Sequence, residues 1–509
     1  MKIIEPSEWK GELATFYKAA DEYYAGNLPR GTYKGISGKF GSYAQKGEGV
    51  SMIRLRMPAG RVTRPKLKFI AESIRQYKVD FVHFTTCQAV QLHNLNLEAV
   101  KGIMAGTLDA GIVTLGGGGD FPRNTTCSPL AGLDKDEYFN VLPYAEVAGK
   151  YALNFINAEK LPRKYKIGFS SSPKNISHAT FRDLGFAANV DGTFDVYSAG
   201  GIGPNPRFGT QVGSHVPANE ILYYIKAMWL VFTRYGNYEN RAKARSRYMV
   251  EAVGGSEKYK EIFAEKLKTV YATEDLSFTV KEEPMKKRGT GTIEHPRVIE
   301  QKQAGLYAVV WHPMGGNPDV TTFLNVLDEL LLVKDGELRL APDETAYIVN
   351  LTATQAKKFI KLTANDTAAT EFEYSTACIG ATICQQGLRD AKGLLAKAIE
   401  KVRAANIPDH ALPAVHITGC PSSCATPQVA GIGLRGAARE RQSAFILTVG
   451  GDSTQGKEKF GREIGVLFEK DIPDFFVKLG QTVAASNLSY REWLLKNPSG
   501  VDEVAKDYL

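Results

Sequence analysis

Residues 51–57, SMIRLRM, alternate apolar and polar side chains, the period of a strand with one buried face. The following PKLKFIAESIRQYK places Leu67, Ile70, Ile74 and Tyr77 at helical spacing. DFVHFTTCQAVQLH then returns to strand-like character. This alternation predicts an α+β fold. The same order recurs further along the chain. YAVVWHPMGG (307–316) matches MIRLRMPAGR (52–61), and the helical TTFLNVLDELLLV follows it. APDETAYIVNL (341–351) matches TTCQAVQLHNL (85–95), with Asn350 opposite Asn94. LPAVHITGC (412–420) matches LPRKYKIGF (161–169), and Gly450-Gly451 match Gly200-Gly201. The spacings are 255, 256, 251 and 250, so the chain is expected to form two pseudo-symmetric halves with a site between them. Residues 282–303, charged and punctuated by Gly and Pro, read as a linker.

The 509 residues allow two or three domains, and 43% hydrophobic with 23% charged residues is ordinary for a globular protein. No apolar run approaches the roughly 18 residues of a membrane helix. The opening MKIIEPSEWKGELATF has early acidic residues and no apolar core, so neither a secretory signal nor a transit peptide is expected there, and a cytoplasmic location is. The net charge of +8 is spread along the chain. A nucleic-acid partner would call for a concentrated basic stripe, so none is expected, and neither is a membrane. A modest positive field suits a small anionic substrate or an acidic electron-donor protein, and equally a coat of solvated lysines.

Four of the six cysteines fall between 378 and 424. Cys378 and Cys384 are spaced C-x5-C in TACIGATICQQG, and Cys420 and Cys424 C-x3-C in HITGCPSSCATPQ. Four thiolates can hold a [4Fe–4S] cube. Zinc ribbons pair their cysteines at two-residue spacing, which neither pair has, yet zinc or unligated core thiols stay open on spacing alone. Pro421 and the small residues Gly419, Ser422, Ser423 and Ala425 leave backbone amides free to bond cluster sulfur.

The two cysteine pairs resemble those of the sulfite and nitrite reductases that couple sirohaem to a [4Fe–4S] cluster, and the likeness spans roughly residues 30–485. It implies that Cys378, Cys384, Cys420 and Cys424 ligate the cluster, with Cys424 bridging to the haem iron. It implies that Arg54, Arg123, Lys164 and Lys166 bind the substrate oxygens, and the latter two would share a face if they lie on a strand. TTCQAVQLH resembles the family's sirohaem cradle, with Thr85, Gln88, Gln91 and His93 in place and His83 as a further basic position. Cys87 stands where the family usually has arginine. GGIGPNPR resembles its glycine-rich cofactor loop, implying Gly200, Gly201, Asn205 and Arg207 as cofactor contacts. The arginines of NRAKARSRYMVEAVG (240–254) either meet cofactor carboxylates or coat a helix, and the second is preferred. Cys127 is expected to be a buried thiol.

The implied fold is α+β: two pseudo-symmetric sulfite-reductase halves with ferredoxin-like α+β units around a central cofactor site. The expected divisions are 1–125 and 126–281 for the ferredoxin-like and sirohaem domains of the first repeat. The linker is 282–303. Residues 304–365 are the second ferredoxin-like half-domain and 366–509 the iron–sulfur/sirohaem domain. The implied activity is six-electron reduction of sulfite to sulfide, with electrons from ferredoxin or another external donor. Lys166 leans to sulfite, because nitrite reductases of the family tend to carry asparagine there. Gln428 leans to nitrite, which would be reduced to ammonia. A haem-free iron–sulfur electron carrier and a zinc-stapled binding module remain alternatives of other classes.

Overall fold

The computed structural model describes residues 3–47, 49–281 and 285–509. It divides into two compact units. The first comprises Met1–Gly201, Arg207–Trp311 and Pro318–Asn365; the second comprises Ile202–Pro206, His312–Asn317 and Asp366–Leu509.

The first unit holds three sheets. One is antiparallel, in the order Ser42–Ala44, Ser51–Leu55, Val90–Leu95, Val82–Phe84. A second repeats that order with Val298–Glu300, Tyr307–Trp311, Ala346–Leu351 and Glu337–Leu340, and Arg61–Val62 extends its edge. The helices Arg64–Gln76 and Val320–Leu332 turn their apolar stripes inward, with Leu67, Ile70, Ile74, Phe323, Val326 and Leu327 buried. Phe84 packs edge-on against both Trp311 and Phe323, so these two half-domains share one core.

The third sheet runs Thr126–Cys127, Ile167–Ser170, Leu184–Ala188, Thr193–Ser198, Thr210–Pro217, its first three strands parallel and the rest antiparallel. The second unit has one sheet of the same pattern: Thr376–Ala377, His416–Thr418, Ile432–Arg439, Gln442–Val449, Arg462–Phe468. The fold is thus α+β, with each sheet type present twice.

The repeat reaches single side chains. Asn94 and Asn350 both adopt a left-handed backbone, at φ 56° and 65°. Gln45 donates to Asn94 Oδ1 (3.0 Å) and accepts from its N–H (2.8 Å); Gln301 does the same to Asn350 at 3.0 and 2.7 Å. Asparagine tolerates the left-handed region better than most residues. Asn94→Ala is therefore expected to destabilise the fold by about 1–2 kcal/mol. Asn94→Gly, which suits the φ but loses the amide, should cost less. Urea midpoints of the two variants check the order.

The strand-like stretch DFVHFTTCQAVQLH forms two paired strands, Val82–Phe84 and Val90–Leu95, joined by a turn that Thr85 and Ala89 close and that puts Gln88 at φ 54°. Two local expectations are corrected. Regular strand begins at Ile167, so Lys164 and Lys166 lie just before it, flanking the Tyr165–Pro122 bridge. The ladder breaks there because the Lys166 N–H donates to the Asp183 carboxylate (2.9 Å) rather than to a carbonyl. Within the stretch read as a linker, residues 282–284 lie outside the described residues, and Val298–Glu300 is an edge strand. No helix among the described residues is long and apolar enough to cross a membrane.

Candidate functional site

In the first unit, strand pairing sets Arg54 directly opposite Gln91. With the Gln91 amide oriented to satisfy its neighbours, its oxygen accepts from Arg54 Nε (2.9 Å) and Nη2 (2.7 Å). Its nitrogen then donates to His93 Nε2 at 3.2 Å. The third face of the Arg54 guanidinium donates to the Gly117 carbonyl (2.6 Å). Arg123 donates to that same carbonyl (2.9 Å) and to Gly119 O (2.7 Å). One backbone oxygen thereby fixes two guanidinium groups side by side.

The approach depends on the glycine run 116–119. A Cβ on Gly117 would stand 2.8 Å from Thr114 O, and one on Gly118 2.1 Å from the Tyr43 hydroxyl. Beneath it lies Arg56, which is 2% exposed and donates to the carbonyls of Leu115, Pro122 and Arg123. Burial, with the Arg123 charge adding to it, pushes the Arg56 guanidinium down to about 9.

Thr85, Gln88, Gln91 and His93 are all buried. The Gln88 amide is fully used by backbone: it donates to Cys127 O (2.8 Å) and Leu340 O (2.6 Å) and accepts from Cys127 N (2.8 Å). It shapes the hairpin rather than presenting a free donor. The Thr85 hydroxyl accepts from Cys87 N (3.3 Å) and Ala89 N (3.1 Å), so Cys87 sits at the tip. His83 Nε2 stands 3.8 Å from the buried Glu344 carboxylate. Cys127 is wholly buried, and burial raises its thiol well above the usual range.

Arg54, Arg123, Lys166 and Arg182 all act on Cys87. Burial alone would raise this thiol, but the four cations outweigh it and bring it down to about 6. Of the four sequence-predicted anion ligands, Arg54 and Arg123 are brought together on the Gly117 carbonyl, and Lys166 adds to the positive field at Cys87. Lys164 is half-buried and separated from Lys166 by Tyr165, which turns into the core and donates to Ile225 O (3.2 Å).

Gly200 and Gly201 are buried, Arg207 is half-buried and Asn205 is exposed in the segment assigned to the second unit. Gly201 and Arg207 exchange two backbone bonds of 2.9 Å. A Cβ on Gly201 would lie 3.4 Å from Arg247 Nη1 and 3.6 Å from Arg245 Nη2. The arginines of 240–254 thus do not simply coat a helix. Arg241 is exposed and pairs with Asp120, but Arg245 donates to Asp183 (3.1 Å) and Arg247 is only 5% exposed. Arg182 Nη2, Arg207 Nε, Arg245 Nε and both Nε and Nη1 of Arg247 are buried without a hydrogen-bond partner. Buried guanidinium donors left open are costly. Their number fits a polycarboxylate such as sirohaem. Arg56, Arg182 and the glycine run escaped the sequence reading, since isolated arginines carry no periodic signal; GGGG was the one visible hint.

In the second unit, parallel pairing of Thr376–Ala377 with His416–Thr418 delivers Cys378 and Cys420 at the same end of the sheet. Cys378 N–H donates to Ile417 O (3.0 Å), and Gly419 N–H donates to Cys378 Sγ (3.2 Å). The two cysteine segments are tied again where Leu388 and Arg389 N–H donate to Gly419 O (3.1 and 2.8 Å). Cys378 and Cys384 are half-buried, Cys420 is buried and Cys424 exposed. Gln428 donates to Ser423 Oγ (2.8 Å) and Gly203 O (3.1 Å), bracing the Cys420–Cys424 turn. Among the described residues no three His, Cys, Asp or Glu side chains converge as for a single ion. The amide-to-sulfur bond at Cys378 is of the kind that tunes a cluster.

A family model described as "Nitrite and sulphite reductase 4Fe-4S domain" matches residues 118–270. One described as "Nitrite/Sulfite reductase ferredoxin-like half domain" matches residues 43–110. The chain is 28% identical to "Sulfite reductase [ferredoxin] 1" of Mycolicibacterium paratuberculosis, over 76% of this chain and 69% of that one. It is 29% identical to "Ferredoxin--nitrite reductase" of Synechococcus elongatus, over 78% of each. The fold matches the "Structure of Mycobacterium tuberculosis NirA protein" with a TM-score of 0.78 and 22% identity, covering 97% of both chains.

Proposed function

The chain belongs to the nitrite and sulfite reductase family of oxidoreductases, and from that premise we propose that it reduces sulfite to sulfide by six electrons. The observation carrying this reading is the pair of guanidinium groups, Arg54 and Arg123, that the Gly117 carbonyl holds together. Sirohaem and a [4Fe–4S] cluster, when bound, would relay the external donor's electrons one at a time to the substrate. Cys378, Cys384, Cys420 and Cys424 are the candidate cluster ligands. Arg182, Arg207, Arg245 and Arg247, with Thr85, Gln91, His93, Gly200, Gly201 and Asn205, are the candidates to hold the haem. Gln88 supports them by fixing the hairpin.

The chain's own groups do the rest. Arg54 and Arg123 present planar forks of directed N–H donors, so they grip and orient the anion. Lysine can lose a proton, so Lys166 and Lys164 are suited to deliver protons as each substrate oxygen leaves as water. Arg54 is held rigid by Gln91 and Gly117, which limits the reorganisation needed when charge builds on the substrate. Electrons come from an external donor, with ferredoxin the choice suggested by the relatives' names.

Nitrite is the second reading. Gln428 favours it, and so does the thiol at position 87, which lowers the positive charge offered to a dianion.

Analysis of the purified protein for iron, acid-labile sulfide and haem tests the cofactor assignment. Iron and labile sulfide in the proportion of one [4Fe–4S] cluster plus one sirohaem are expected. A cluster without haem would favour an electron carrier, and zinc without iron a stapled binding module.

A further inference from the structure

We propose that Asp120 is a positioning residue for the anion site: its carboxylate clamps the glycine run 116–119 to two neighbouring basic segments, and so fixes the carbonyls that orient Arg54 and Arg123. The inference rests on the reading that Arg54 and Arg123 receive the substrate.

Both guanidinium groups take their orientation from two oxygens of one loop, Gly117 O and Gly119 O. Four consecutive glycines give that loop little stiffness of its own. Gly116 and Gly119 hold left-handed φ values of 73° and 66°, a geometry that glycine permits without enforcing. The run is therefore held from outside. Gly116 N–H donates to Lys39 O (2.6 Å), and Gly119 N–H donates to the Tyr43 hydroxyl (2.8 Å). Asp120 is the first residue after the run with a side chain, and it adds three bonds. Its Oδ1 accepts from Arg163 Nη1 (2.8 Å). Its Oδ2 accepts from Arg241 Nη1 (2.8 Å), while Arg241 Nη2 reaches Oδ1 at 3.3 Å. The Asp120 side chain is 14% exposed, that of Arg163 27% and that of Arg241 65%. Exposed ion pairs hold little, so Arg163 is the firmer half of the clamp.

Each partner belongs to a segment with site residues of its own. Arg163 precedes Lys164, and the main chain continues the clamp there. Tyr165 N–H donates to Phe121 O (3.1 Å), and Arg123 N–H donates to Tyr165 O (2.8 Å). Arg241 opens the stretch in which Arg245 donates to Asp183 (3.1 Å). Asp183 also accepts from the Lys166 N–H (2.9 Å). Two carboxylates, Asp120 and Asp183, thus close a ring of three segments, 116–123, 163–166 and 241–245.

The sign of the effect separates positioning from simple charge. Asp120 is a negative group beside an anion site, so by its field alone its removal would strengthen the pull on an anion and lower KM. By positioning, its removal frees the run, lets the two guanidinium forks drift and raises KM.

The test compares the holoenzyme with Asp120→Ala, the isosteric Asp120→Asn, Arg163→Ala and the double variant Asp120→Ala/Arg163→Ala. In Asp120→Ala the KM for sulfite and for nitrite should each rise about tenfold, with a smaller fall in kcat. Asp120→Asn should recover part of this, because its amide oxygen still accepts from one guanidinium. The double variant should be no worse than the poorer single one, since both break the same contact. A second readout does not depend on turnover. Hydrogen exchange followed by mass spectrometry should show the peptide 114–124 exchanging faster in Asp120→Ala, with iron and labile sulfide unchanged. A KM that stays the same or falls in Asp120→Ala, effects that add in the double variant, or exchange no faster than in the wild type overturns the proposal. Should Asp120→Ala fail to fold, Asp120→Asn decides by the same two readouts. If the wild type reduces neither anion, the functional reading fails, while hydrogen exchange in the Asp120 variants still decides whether the carboxylate fixes the run.

Discussion

Cys384→Ser is expected to lose the iron–sulfur centre and with it all turnover, a fall of more than about a thousandfold in kcat. Serine is isosteric, so the segment around it should keep its backbone bonds. Cys384 N–H donates to Gly380 O (2.9 Å), and Gly387 N–H donates to Cys384 O (3.0 Å). Its side chain is half-buried, so the hydroxyl adds no severe desolvation cost. What changes is the ligand: a neutral hydroxyl replaces a soft thiolate that iron prefers. Cluster loss should therefore separate from misfolding. Iron and labile sulfide should fall while the far-ultraviolet circular dichroism stays native. Full iron content with normal turnover would remove Cys384 from the ligand set.

Lys166→Asn should lower kcat/KM for sulfite by about ten- to a hundredfold, the loss of one charge-assisted hydrogen bond worth about 1.5–3 kcal/mol. Nitrite, with a single charge, should lose less. The substitution keeps a hydrogen-bond donor and leaves the Lys166 N–H on Asp183 untouched, so the backbone stays in place. It also removes the largest positive influence on Cys87, so the Cys87 thiol should titrate at higher pH in this variant. The ratio of the two specificity constants in wild type and variant is the measurement. An unchanged ratio would leave Lys166 without a part in discrimination and return sulfite and nitrite to an even choice.

Much of the architecture could be read from the chain because its elements are periodic. Leu67, Ile70 and Ile74 announced the helix Arg64–Gln76, and the matched segments announced that each sheet type occurs twice. The Asn94–Asn350 match marked the repeat, and both residues prove to hold the same left-handed turn. The cysteine pairs were visible because their spacing is itself the chemistry. The hairpin at 82–95 was hidden because Cys87 and Gln88 carry no Gly or Pro to mark a turn, and Gln88 instead makes it with its own side-chain bonds. Arg182 and Arg247 were missed or undervalued for a different reason. Their importance lies in burial and in donors left open, and neither property is encoded in local pattern.

The most direct test of the account is steady-state turnover of sulfite and nitrite side by side by the purified holoenzyme with a reduced external donor, measuring sulfide and ammonia formed. The account predicts reduction through to sulfide, with sulfite the preferred substrate. Failure to form either product with both cofactors bound would contradict it.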